Sequence, residues 1–217
     1  MAEISAQIVR DLRERTGAGF MDCKKALAES NGDMDAAIEY LQKKQLASVG
    51  KKAGRIASEG VVGSYIHAGG RIGVIIEVNC ETDFVSRNEA FQAFAKDLAM
   101  HVAAANPMVV RAEELPAAEI DKQKEIFKAQ AMEEGKPANI AEKIMEGRLK
   151  KWQKEVCLLD QPFVKDPDKT VAELEAELTA KIGEKISIRR FVRFEVGEGI
   201  EKREDDFAAE VAKQAGL

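Results

Sequence analysis

Apolar residues in the N-terminal part of the chain recur at the three- and four-residue spacing of amphipathic helices. Gly17 and Gly19 separate a first stripe from a second, and Asp33 stands where it can cap a third helix. The stripes consist of Ile4, Ile8, Val9 and Leu12, of Phe20, Cys23 and Leu27, and of Met34, Ile38 and Leu41. This pattern predicts a minimal bundle of three short helices, which is more typical of a docking module than of a catalytic domain.

Further along the chain the pattern changes to the alternation of β-strands. Residues 60–66 and 72–78 read GVVGSYI and IGVIIEV, and Ala68, Gly69 and Gly70 between them predict a hairpin. A third run, ISIRRFVRFEV at residues 186–196, predicts a strand that returns late to the same sheet. Its residues expected on one side are Ile186, Ile188, Val192, Phe194 and Val196.

Helices are predicted between and after these strands. The first ends near Ala105, two more cover about residues 117–134 and 138–155, a fourth runs from Thr170 to Gly183, and the last begins at Asp205 or Asp206. Pro107 stops the first, and Thr170 with Glu173 forms a capping box for the fourth. A hairpin, several helices and a late strand together predict an α+β fold with a small, mainly antiparallel sheet covered by helices.

The length of 217 residues favours a small domain joined to a larger one. We predict a helical domain with a basic linker at residues 1–54, an α+β core at 55–204 and a C-terminal helix at 205–217. The linker, KKQLASVGKKAGR at residues 43–55, is rich in lysine and small residues. An RNA-contacting segment is one interpretation, but a solvated hinge is favoured because the cluster is short and the whole chain is acidic.

The composition of the chain disfavours several classes of function and of site. The formal net charge of -5 and the pI near 5.4 disfavour a general nucleic-acid binder, since phosphate neutralisation requires an excess of Lys and Arg. No apolar run approaches the roughly 20 residues that span a bilayer, and the N-terminus lacks the features of a signal peptide, so we expect a cytoplasmic protein. Three widely separated cysteines favour thiols over disulfides or a zinc site.

Motifs of catalysis are missing from the sequence. No phosphate-binding P-loop is present, and no HExxH or GxSxG motif accompanies the two histidines, His67 and His101. His67 is interpreted as a hairpin-end residue, and His101, between Leu98 and Val102, as a packing or partly exposed residue of its helix. We therefore predict a protein that is not an enzyme, with no cofactor and no metal.

The turn NCETDFVSRNE, at residues 79–89, carries an aromatic side chain where a strand passes into a helix. Ser86 and Glu89 have the spacing of a capping box, which predicts that the helix begins at Ser86. Val85 then packs inward as a hydrophobic staple. Phe84 either folds back over the sheet edge, which the pattern alone favours, or projects as an anchor that a partner buries.

Two stretches resemble the signatures of the translation elongation factor Ts family. They are LRERTGAGFMDCKKAL at residues 12–27 and EVNCETDFVSRNEAF at residues 77–91. Three C-terminal stretches are similar to the same family in the same order, namely GKPANIAEKIMEGRLKKW, QPFVKDPDKTV and RFEVGEGIEKREDDFAAEV. The resemblance covers nearly the whole chain, although residue 20 is Phe where many members have Met.

The resemblance implies a guanine-nucleotide exchange factor that promotes GDP release from elongation factor Tu, binding its GDP-bound and nucleotide-free forms. It also implies a UBA-like (ubiquitin-associated-like) N-terminal domain and a wedge, formed by Asp83 and Phe84 with Thr82 and Val85, that disturbs the magnesium and phosphate site of the GTPase. The other residues implied to bind this partner are Arg13, Met21, Lys24, Ile72, Gly73, His101 and Phe207.

One departure from the family concerns the core. Longer members divide the core into two related halves, whereas this chain has a single core that carries all the motifs. Shorter members are expected to restore the missing half by self-association, so a homodimer is implied by the resemblance and not by the residues themselves. The main alternative function is a UBA-like protein-interaction adaptor without exchange activity.

Overall fold

The computed structural model describes residues 4–201, and the predicted C-terminal helix with Phe207 lies outside them. The chain begins with three helices, α1 (Ala6–Thr16), α2 (Phe20–Glu29) and α3 (Met34–Lys52). The Asp33 carboxylate caps α3 by accepting a hydrogen bond from the Ala36 amide at 2.8 Å, as the sequence predicts. Gly17 ends α1 in the left-handed conformation that glycine adopts most easily. The core of this bundle consists of Val9, Leu12, Cys23, Ala26, Leu27, Ala37 and Leu41.

The predicted basic linker is mostly helical, because α3 continues without a break to Lys52. Alanine, lysine, leucine and glutamine are good helix formers, so this stretch can extend a helix even without a clear apolar stripe. Beyond the helix, Arg55 lies only a few residues before the first strand. The domain boundary at residue 54 stays a prediction.

A three-stranded antiparallel sheet forms the centre of the larger part of the chain. Its strands are β1 (Glu59–Ile66), β2 (Ile72–Cys80) and β5 (Ser187–Glu195), in the order β1-β2-β5. Helix α5 (Glu89–Ala105) packs against β1 and β2. Helix α8 (Val171–Ile182) begins with the predicted capping box of Thr170 and Glu173. The predicted α+β class is therefore confirmed.

Strand β5 differs from the prediction in the faces of its side chains. Ile188 pairs with Val78 and Arg190 with Glu77, so Arg189 is the extra residue of a β-bulge. Because a bulge shifts the alternation by one residue, Val192, Phe194 and Val196 face outward and are exposed, whereas Ile186 and Ile188 are buried. Assigning all five to one side was wrong. Arg189 and Arg190 both bind the Glu77 carboxylate, at 2.8 and 2.7 Å, and hold its pKa at about 2.

Two further features lie between α5 and α8. Helices α6 (Ala117–Glu133) and α7 (Ala138–Val156) form an antiparallel helical hairpin. A two-stranded sheet of β3 (Pro162–Phe163) and β4 (Asp166–Thr170) was not predicted. Among the helices between residues 4 and 201, none is long and apolar enough to cross a membrane.

Candidate functional site

The site begins where β2 ends. A single helical turn, α4 (Asp83–Ser86), follows Cys80 and leads into α5. The side chain of Phe84 is 82% exposed, which makes it one of the most exposed large apolar side chains between residues 4 and 201. Next to it, Val85 is partly buried and packs against the core of the sheet. The turn therefore points one apolar side chain inward and its neighbour outward.

The predicted capping box at Ser86 is wrong. The cap of α5 is Asn88, whose Oδ1 accepts hydrogen bonds from the amides of Ala90 at 2.9 Å and Phe91 at 3.4 Å. Ser86 is instead the last residue of α4, and its hydroxyl donates to the carbonyl of Asp83 at 2.7 Å. Asparagine is as good a cap as serine, and its position two residues later leaves room for a separate helical turn that carries Phe84.

Polar contacts hold the start of α4. The Glu184 carboxylate accepts hydrogen bonds from the Glu81 amide at 3.1 Å, the Thr82 amide at 3.0 Å and the Thr82 hydroxyl at 2.7 Å. On the solvent side, Asp83 forms an exposed ion pair with Arg87 at 2.9 Å. Glu184 lies about a hundred residues away in sequence, just after α8, and no local motif of the sequence indicates that it belongs to this turn.

Five other predicted partner-binding residues lie on the helical bundle or at the start of β2. Arg13 on α1 and Met21 and Lys24 on α2 are exposed on the helical bundle. Ile72 and Gly73 lie at the start of β2, which places them roughly 25 Å from the turn at its other end. The structure thus brings Thr82 to Val85 together in one turn, and it places Ile72 and Gly73 at the opposite end of β2.

Comparisons with known proteins give the same family along nearly the whole chain. The family model described as Elongation factor TS matches residues 21–198. The chain belongs to the elongation factor Ts family. It is similar to Elongation factor Ts of Desulforamulus reducens, with 66% identity over 99% of both chains. It is also similar to Elongation factor Ts of Carboxydothermus hydrogenoformans, with 64% identity over 96% of both chains, and of Geobacter sulfurreducens, with 62% identity over 99% of both chains. The resemblance of the signatures to the Ts family is thereby confirmed.

His101, which the family resemblance assigns to partner binding, is buried in α5. Its Nδ1 accepts a hydrogen bond from the Val164 amide at 3.2 Å, so its Nε2 carries the proton and donates to Gln161 Oε1 at 3.0 Å. The ring also lies 5.7 Å from that of Phe163. Burial lowers the pKa of His101, which is consistent with a neutral ring. His101 therefore fixes the β3–β4 segment onto α5 and offers no surface of its own.

We predict that replacing His101 by leucine lowers the free energy of unfolding at pH 7 by about 1–3 kcal/mol, because the Val164 amide and Gln161 lose their buried partner. The wild-type protein should also lose stability as the pH falls below about 6.5, since the unfolded chain then binds a proton that the folded ring resists. Urea unfolding at pH 7 and pH 5 measures both effects. An equal pH dependence in the His101→Leu variant would contradict the assignment of a neutral buried ring.

All three cysteines, Cys23, Cys80 and Cys157, are buried thiols. Burial raises the pKa of Cys80 and of Cys157 to about 11 each. The Cys80 thiol donates to the Thr82 carbonyl at 3.2 Å, directly beneath the turn of the Ts-family site. Between residues 4 and 201, no group of His, Cys, Asp and Glu side chains is arranged to hold a metal ion.

Proposed function

We propose that this chain is a guanine-nucleotide exchange factor that promotes GDP release from elongation factor Tu, with the turn of Asp83 and Phe84 as its wedge. The observation that carries the proposal is Phe84, an aromatic side chain exposed at the tip of an anchored turn in a chain of the Ts family. The relatives bear the name Elongation factor Ts. No bond is made or broken by the protein in this activity.

The proposed mechanism is a linkage of two binding equilibria. A factor that binds the nucleotide-free GTPase more tightly than the GDP-bound form must weaken GDP binding by the same ratio, and each tenfold corresponds to about 1.4 kcal/mol. Burial of Phe84 in a pocket of the GTPase contributes about 2–3 kcal/mol. Asp83 can compete for the bound cation or for a backbone amide near the phosphates.

Other predicted residues have subsidiary roles in this proposal. Arg13, Met21 and Lys24 dock the helical bundle on the nucleotide-binding face of the GTPase. His101 acts through the segment that it holds, because Val164, whose amide it binds, has an exposed side chain. The role of Phe207 in a C-terminal contact stays a prediction.

We also propose that the chain forms a homodimer through the outer face of its three-stranded sheet. The pairing of the strands brings Ile75 beside Val192, and Gly73 beside Ile66 and Phe194, on this face. A Cβ atom on Gly73 would lie 3.1 Å from the Ile66 side chain, so the glycine lets Ile66 lie flat across the sheet. The exposed apolar side chains here are Val62, Ile66, Ile75, Val192, Phe194 and Val196. An apolar face of this extent is typical of an interface, and a second copy offers a matching one.

The exchange activity is tested with elongation factor Tu that carries fluorescent GDP. Substoichiometric amounts of this protein are expected to speed GDP release over many turnovers, because a catalyst of release leaves the complex when nucleotide rebinds. Tight binding to elongation factor Tu without faster release would favour the UBA-like adaptor instead. If the protein neither binds elongation factor Tu nor speeds GDP release, elongation factor Tu is excluded as its partner.

A further inference from the structure

Two glutamates form a reciprocal clamp at the base of the Phe84 turn. The Glu184 carboxylate accepts from the amides of Glu81 and Thr82 and from the Thr82 hydroxyl. In the opposite direction, the Glu81 carboxylate accepts from the Lys185 amide at 2.6 Å. Two backbone segments that are far apart in sequence therefore hold each other through side-chain oxygens, and the hydrogen bond from the Lys185 amide is the main cause that lowers the pKa of Glu81.

The turn that carries Phe84 depends on contacts from outside itself. Helix α4 has four residues, none of them fully buried, and so short a helix is not stable alone in water. Thr82 occupies its cap position, yet the Thr82 side chain makes no capping hydrogen bond to the helix. Its hydroxyl is directed to Glu184 instead. Among the described residues, the anchors of the turn are thus Glu184, the inward-packed Val85, the Cys80 thiol and Gln92, whose side chain donates to the Ser86 carbonyl at 3.3 Å.

We infer that Glu184 is a positioning residue for nucleotide exchange, which holds the turn so that Phe84 is already in its projecting conformation before the partner arrives. This inference rests on the proposed exchange function. A preformed anchor loses less conformational freedom on binding than a mobile one, so more of its burial free energy is available to the complex. Glu184 itself need not contact the partner.

The clamp also reaches the segment that leaves the helical bundle. Arg55 donates from Nη1 to the Glu81 carboxylate at 3.2 Å, and Lys185 Nζ donates to the Arg55 carbonyl at 2.9 Å. Arg55 follows α3, the last helix of the bundle. The same network therefore ties the turn, the end of α8 and the connection to the bundle into one unit.

The experiment compares Glu184→Ala, Glu184→Gln and Thr82→Val with the wild-type full chain in the GDP-release assay. We expect Glu184→Ala to lower the exchange rate at saturating protein by about threefold to tenfold. Glu184→Gln should restore most of it, because the amide oxygen still accepts from the two backbone amides and the amide nitrogen can donate to the Thr82 hydroxyl. Thr82→Val, which replaces the hydroxyl by a methyl group and so removes its hydrogen bond to Glu184, should have an intermediate effect. Glu146→Ala, at an exposed position on α7, is the matched control and should behave as wild type.

A double-variant cycle separates positioning from a general loss of stability. If Glu184 acts through Phe84, Glu184→Ala has little further effect in a Phe84→Ala background, whereas independent effects would multiply. The positioning role of Glu184 would be overturned if the effects of the two variants multiply. It would also be overturned if Glu184→Ala exchanges at the wild-type rate while Phe84→Ala is slow. Both outcomes would leave the role of Phe84 as the wedge intact. Normal exchange in Phe84→Ala would instead overturn the wedge itself. Hydrogen exchange at the amides of residues 81–87 reports the order of the turn in the absence of the partner. If Glu184→Ala leaves the protection of these amides unchanged, the inference is also contradicted.

Discussion

Replacing Phe84 by alanine is expected to slow the release of GDP from elongation factor Tu by about 30-fold to 150-fold. The variant loses about 2–3 kcal/mol of apolar burial that is available only in the complex, and each 1.4 kcal/mol is a factor of ten. Because the side chain is exposed in the isolated protein, its removal leaves the packed core unchanged. Stopped-flow fluorescence with labelled GDP measures the rate at saturating concentrations of each variant.

The matched control for this experiment is Met132→Ala, which removes another exposed apolar side chain on α6. It should exchange as wild type. Both variants should keep the wild-type circular dichroism spectrum, and their free energies of unfolding should agree with that of wild type within about 0.5 kcal/mol, the usual range for surface substitutions. A rate for Phe84→Ala equal to that of wild type would contradict the wedge. A lower melting temperature with a proportional loss of activity would instead indicate a structural role for Phe84.

Most of the fold could be predicted because the deciding interactions are local. Gly17 and Pro107 stop helices through their own backbone preferences, and Thr170 with Glu173 forms its capping box within one turn. Alternation in β2 places Val74, Ile76 and Val78 in the core, as the structure confirms. Signals of this kind require only the residue and its near neighbours.

The errors occurred where an interaction between distant segments, or a choice between two close alternatives, decides the structure. The bulge at Arg189 is set by its pairing with β2 and by Glu77, which binds both Arg189 and Arg190. Near the turn, Ser86 and Asn88 are both good caps, and only the formation of α4, which includes Ser86, decides for Asn88. The two-residue strand β3 is too short to produce an alternating pattern.

In the candidate site, too, some features could be predicted from the sequence and others depend on contacts between distant segments. Family resemblance identifies Phe84 as a projecting residue, against the pattern alone, and its exposure agrees with projection. The sequence does not indicate that Glu184 belongs to the turn, because a carboxylate that accepts backbone hydrogen bonds can do so from any distance along the chain. His101 lies among apolar neighbours in sequence, but its burial against Gln161 and Val164 depends on a segment about 60 residues away.

Replacing Phe194 by glutamate is expected to convert the protein from a dimer to a monomer, so that its molar mass in solution falls from twice 23.8 kDa to 23.8 kDa. Phe194 is 66% exposed on the outer face of the sheet, beside Gly73 on β2. In a symmetric interface each substitution occurs twice, and two carboxylates without partners would have to lose their hydration together. Light scattering at micromolar concentrations measures the mass directly.

The matched control is Val164→Glu, which places the same charge on an exposed apolar position in the short connection between β3 and β4, away from the sheet face. It should leave the dimer intact. If the wild-type protein is a monomer, the apolar face does not bind a second copy of the chain, and we would assign this face to the interface with the GTPase. In that case Phe194→Glu should weaken the binding of elongation factor Tu. If the wild-type protein is a dimer and the dimer interface is separate from the partner site, the monomeric Phe194→Glu variant should still bind elongation factor Tu through Phe84. The mass of the wild-type protein therefore decides how the binding data are interpreted, because the same substitution removes a dimer contact in one case and a partner contact in the other.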